Sequence, residues 1–138
     1  MSFRVHVNPS SIRPAASDPV GEIWVSMDGA AFPGERYTDF VVRSLVSWAA
    51  PVGAAVAKRI TWRFFDDPHL IRFQDSDGGL NAVGCREDSQ RPLASCETTW
   101  TEVRTELAAA ARSVAHSPAV APADGQALLA IADAASTW

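Results

Sequence analysis

Basic charge is scarce in this chain and lysine is nearly absent: of 138 residues only 12 are Lys or Arg, and Lys58 is the single lysine. Against 16 acidic residues this leaves a formal net charge of -4. A protein that grips a phosphate backbone needs Lys and Arg clustered on one face. The balance therefore argues against nucleic acid as a direct partner. Cysteine is equally sparse. Cys85 and Cys96 are too few for a disulfide framework and are not spaced as a zinc-ligand pair, so two reduced thiols are expected.

Long apolar runs are missing too. The longest uncharged run, residues 44–57, contains Pro51 and Gly53 and falls short of the ~20 apolar residues a membrane span needs. No contact with a membrane is expected. The first residues, MSFRVHVNPSSIRP, carry Arg4 and show neither an apolar core nor a small-residue cleavage site, so no signal peptide and a cytoplasmic location are expected. Also lacking are H-x-x-x-H, G-x-S-x-G, Cys-x-x-Cys and any glycine-rich phosphate loop. The three histidines, His6, His69 and His116, fall in separate elements. Neither catalysis nor a cofactor is indicated.

What is present is ordinary globular material. Hydrophobic residues make up 47% and charged residues 20%, which suits a single domain over residues 1–138. Alanine occurs 24 times and Arg strongly outnumbers Lys, a bias typical of a GC-rich bacterial genome.

Residues 3–7 and 22–27 read as strands joined by a Pro-rich link. Asp28-Gly29 and Pro33-Gly34 are turn signals. Thr38 reads as the N-cap of a helix, with Asp39 in its first turn. Tyr37, Phe40, Val41, Leu45, Trp48 and Ala49 would share the buried face, and Asp39, Arg43 and Ser47 would point away. Residues 51–53 should end or kink that helix. Runs 60–65, 70–74, 80–85 and 93–98 alternate and are separated by turn residues, which predicts an antiparallel meander. Thr99-Trp100-Thr101-Glu102 has the form of a capping box and opens a helix to about residue 116. Asp124 should cap a last helix carrying Leu128, Leu129 and Ala132. The order ββαββββαα implies an α+β fold, an antiparallel sheet with helices packed on one face.

Two acidic turns punctuate the meander. Asp66-Asp67-Pro68 and Asp75-Ser76-Asp77-Gly78-Gly79 lie at opposite ends of one strand, about 17–20 Å apart, so they cannot form one site. The next connection should return Glu87 and Asp88 to the first turn. Asp66, Asp67, Glu87 and Asp88 thereby form an acidic rim, the candidate partner-binding surface, with His69 beside it. His69 and the aromatic Trp138 are further candidate contact residues. Four other tryptophans, Trp24, Trp48, Trp62 and Trp100, are expected in the core.

Metal binding at the second turn is not expected. Asp75-Ser76-Asp77 opens like a calcium loop, but Leu80 stands where that loop needs Gly and Arg86 where it needs a bidentate Glu. Centring the 86–92 connection between Gln90 and Arg91 sets Cys85 opposite Cys96 on one face, close but unbonded in a reducing compartment.

The Tyr-Thr-Asp-Phe-Val-Val start of the first helix, the Trp near its end and the later Arg-Phe-Phe-Asp-Asp-Pro-His-Leu-Ile-Arg strand pair resemble small, mostly uncharacterised bacterial α+β domains. Some of these are read as immunity proteins of polymorphic toxin systems. The resemblance spans residues 35–115. It implies a non-catalytic domain that binds another protein and neutralises a toxin, and an acidic surface would suit a basic toxin domain. The alternative reading is a small-molecule module, with a Trp- and Phe-lined apolar cavity between helix and sheet. An enzyme would need His69 and a carboxylate to converge in a cleft.

Calorimetric titration with calcium should give no binding heat. Micromolar binding that disappears in Asp75→Ala would show the loop reading to be wrong.

Overall fold

The first two runs form β1 (Phe3–Val7) and β2 (Val20–Met27), paired antiparallel with Phe3 opposite Met27 and Val7 opposite Ile23. The computed structural model describes residues 2–14, 18–53, 59–77 and 79–135. Trp138 lies outside them. Asp28 and Gly29 both take positive φ, 51° and 87°, and this tight turn folds β3 (Ala30–Phe32) back onto β2. Glycine accepts such a φ without steric cost, and Asp tolerates it better than most residues. Next comes β4 (Thr38–Phe40), which pairs with the other end of β2, Thr38 opposite Glu22.

Thr38 and Asp39 are thus strand residues rather than the start of a helix. Pairing with β2 outweighs the local capping signal, and helix α1 (Val41–Gly53) begins after them. Val41, Leu45, Trp48 and Ala49 are buried along it as the spacing predicts and Val52 extends the stripe, whereas Tyr37 and Phe40 precede the helix; Pro51 lies inside its last turn.

The meander follows in the expected order: β5 (Arg59–Arg63), β6 (His69–Ser76), β7 (Gly79–Arg86) and β8 (Ala94–Thr98), each antiparallel to its neighbour. Helices α2 (Trp100–Ala115) and α3 (Pro122–Ala135) close the chain. Asp124 sits inside the first turn of α3 instead of capping it, because Pro122, with no N–H to satisfy, takes an opening position. The fold is α+β with antiparallel strands, as expected, but the strands divide into two sheets.

The first sheet and α1 pack on one face of the meander, while α2 lies along β1 and α3 packs on α1 and α2. Trp48 of α1 lies flat on Trp62 of β5, with ring centroids 4.7 Å apart and planes within 2°. Phe3 of β1 meets Trp62 and Phe73 edge-on at 5.8 and 5.5 Å. Phe32 of β3 covers Gly84 so closely that a Cβ there would stand 2.9 Å from the ring. Trp24 departs from expectation. It lies on the outer face of the first sheet, half-buried and stacked on His6 at 5.1 Å, because its register opposite His6 turns both side chains away from the core.

Strand β1 is an edge strand, and α2 covers it with carboxylates. Glu102 accepts from the Phe3 amide at 2.8 Å and Glu106 from the Val5 amide at 3.0 Å, so residues one helical turn apart serve alternate strand amides. Only half of the capping box therefore forms. Thr99 accepts from the Glu102 amide at 3.1 Å, while the Glu102 carboxylate turns to Phe3 and the Thr98 hydroxyl.

The cysteines do not face each other. Strand β8 sets Cys96 opposite Ala82 and Ala94 opposite Gly84. The chain turns early, with the Ser89 amide bonded to the Arg86 carbonyl and the Arg91 amide to the Ser89 hydroxyl. This displaces the register from the symmetric one by an odd number of residues and puts the two thiols on opposite faces. Cys96 joins the core, while Cys85 lies opposite Leu70 on the outer face under the Arg72 guanidinium, 3.1 Å from its sulfur.

Because Trp62 joins α1, β1 and β6, Trp62→Ala should cost about 3–5 kcal/mol. Urea denaturation measures this, and a loss below about 1 kcal/mol would show that the junction is not central.

Candidate interaction site at the acidic end of the meander

The first acidic turn and the connection after β7 meet at one end of the meander. His69 lies opposite Arg86, and the Glu87 amide donates to the Pro68 carbonyl at 2.7 Å. That bond extends the β6–β7 ladder into the two turns and brings Glu87 to the first acidic turn, beside Pro68. The placing depends on β6 and β7 alone, so the shifted β8 register leaves it intact.

All four carboxylates reach solvent, but they differ in partners. Glu87 pairs with Arg63 at 2.8 Å, both side chains 56% exposed. Asp88 pairs with Arg86 at 3.3 Å. Asp67 lies 3.4 Å from Nδ1 of His69. Asp66 is exposed at the tip of the turn. Exposed ion pairs contribute about 0–1 kcal/mol and neutralise only part of the field, so Asp66 and Asp67 carry most of the remaining charge.

His69 itself is turned inward. Its side chain is 12% exposed, and its ring meets Phe32 edge-on at 5.5 Å. His6 stacks on Trp24 and bonds Ser26 at 2.8 Å, with its pKa lowered chiefly by burial. His116 sits at the end of α2. The three histidines do not converge. The Cys96 thiol is pushed up to about 11, by burial first and then by the Asp28 and Glu102 carboxylates, which keeps it protonated.

Asp39, expected on the outward side of a helix, is buried instead. It is 2% exposed, and its carboxylate accepts from the Phe40 and Phe65 amides, each at 2.8 Å, with the Asp66 amide a further pull on its charge. A buried carboxylate thus holds the acidic turn to β4. Burial raises its pKa, with a further push from Asp66, against the pull of the three amides. Nearby, Tyr37 meets Phe64 edge-on at 5.5 Å, and burial followed by Asp39, Asp66 and Asp67 pushes its hydroxyl well above the usual range. Local sequence gives no sign of this role, since Thr-Asp ahead of an apolar run is the ordinary signature of a helix cap.

The second acidic turn has a structural use. Asp75 accepts from the Trp100 indole at 3.0 Å and so ties β6 to the start of α2. Among the described residues no group of three His, Cys, Asp or Glu is arranged to hold a metal ion, and no helix is long and apolar enough to cross a membrane.

A raised native pKa at Asp39 means that its contribution to stability is fully present below the unfolded value of ~3.9 and is lost as pH rises through the native value. Asp39→Asn should remove this component, so the stability difference between variant and wild type should change across that interval. Urea denaturation at a series of pH values checks it, and a constant difference would count against the assignment.

Comparison with protein-family models, with curated proteins and with solved structures finds no match to this chain.

Proposed function

We propose that this chain is a non-catalytic protein-interaction domain that uses its acidic rim to bind a basic partner, in the specific form of a cytoplasmic bacterial immunity protein that neutralises a toxin. The observation that carries the reading is the bond from the Glu87 amide to the Pro68 carbonyl, which fixes two acid-bearing turns side by side. A surface of this kind gives a partner complementary charge at a defined position, which speeds encounter and sets orientation. The amides bound by Asp39 hold the turn in place before any partner arrives. Less ordering entropy is then lost on binding.

The packing works against the small-molecule alternative. Trp48, Trp62, Phe64 and Phe73, which would line a cavity between helix and sheet, instead pack together, Trp48 stacked on Trp62 and the Phe64 and Phe73 contacts edge-on, with centroids 4.7–5.3 Å apart.

The test is association with the basic domain of a toxin encoded immediately upstream. Asp66→Lys combined with Asp88→Lys should slow association by about tenfold or more at low salt, and the difference should shrink in high salt as charges are screened. An association rate indifferent to the double reversal would remove the rim from the interface.

A further inference from the structure

The acidic turn also carries an exposed aromatic ring. Phe64 points into the core, meeting Phe32, Tyr37 and Trp48 edge-on at 5.8, 5.5 and 5.3 Å, and its neighbour Phe65 is forced outward to 42% exposure. A single exposed apolar side chain is commonplace. Phe65 differs in being held from two directions. Its amide donates to the buried Asp39 carboxylate at 2.8 Å, and the Arg43 guanidinium lies 5.6 Å from its ring centroid. Arg43 also covers Phe40 at 4.9 Å and is tethered by an ion pair to Asp18. The result is an aromatic–guanidinium patch directly beside Asp66 and Asp67.

We infer that Phe65 is the apolar anchor of the interface, and that the partner is a protein segment that sets apolar side chains on this ring and Lys or Arg on Asp66 and Asp67. The inference rests on the rim reading above and names the chemistry of its partner. Aromatic residues and Arg are enriched where binding energy concentrates. A ring whose backbone is already fixed loses little freedom on binding. Charge complementarity selects the flanking residues, because the two carboxylates beside the ring favour cations and penalise acidic neighbours.

A displayed library of random twelve-residue peptides, selected on the whole chain, tests this. Enriched peptides should combine Lys or Arg with an apolar centre. Phe65→Ser should weaken their binding by about 30-fold, the size of a hot-spot truncation. Leu93→Ser, which alters another exposed apolar side chain at 52% exposure, should leave it unchanged. Peptides whose binding falls in Asp66→Lys but survives Phe65→Ser would overturn the anchor and leave the rim standing. Peptides indifferent to both variants, peptides of acidic composition, or no enrichment at all would overturn the anchor and the rim together.

Discussion

The fold turns on the burial of Trp62. Its ring is covered by Trp48 of the first helix, approached edge-on by Phe3 of the first sheet, and flanked by Phe73 of its own sheet at 4.8 Å. Two sheets and a helix thus share one fully buried side chain. Aromatic rings suit such a junction because each buries a large area and fixes the approach angle of its neighbours. Burial has a cost here, since the Trp62 indole nitrogen has no hydrogen-bond partner among the described residues. The ring contacts with Trp48, Phe3 and Phe73 offset it.

Around that junction the acidic residues divide into two groups by what they bind. Asp39, Asp75, Glu102 and Glu106 accept from backbone amides or an indole, and each ties together elements distant in sequence. A carboxylate offers several lone pairs, so it can satisfy donors at an element's edge where no strand or carbonyl is available. Asp66, Asp67, Glu87 and Asp88 instead face water, with arginines beside only part of the group. The inner set holds the frame on which the outer set is displayed. Asp39 belongs to the first group and positions the second.

Acidity in this chain is therefore not one property with one purpose. A net charge of -4 describes the whole sequence, but the field a partner meets is set by which carboxylates are consumed internally. Arg63 and Arg86 reduce the rim's charge near Glu87 and Asp88 and leave it strongest at Asp66 and Asp67, beside the Phe65 ring. Charge and apolar surface thereby meet at one turn.

Much of the architecture was legible in the sequence alone. Alternation at period two fixed β1, β2 and the four-strand meander, and the spacing of Leu45, Trp48 and Ala49 fixed the buried face of α1, because these patterns are local and repeat over several residues. The meander also brought Glu87 beside the first acidic turn, since that depends only on neighbouring strands. What the sequence left undecided depended on partners far away along the chain. Thr38-Asp39 has the form of a helix cap, yet pairing with β2 and the Phe65 amide, which donates to its carboxylate, make it a strand with a buried acid. Glu102 has the form of a capping-box residue, yet the free edge of β1 claims its carboxylate. An early turn at Ser89 moved the cysteines to opposite faces, and pairing with His6 put Trp24 outside the core. For Asp39 and Glu102 a short local motif offered a modest gain, and a long-range hydrogen bond or pairing that satisfied an otherwise bare backbone group outweighed it.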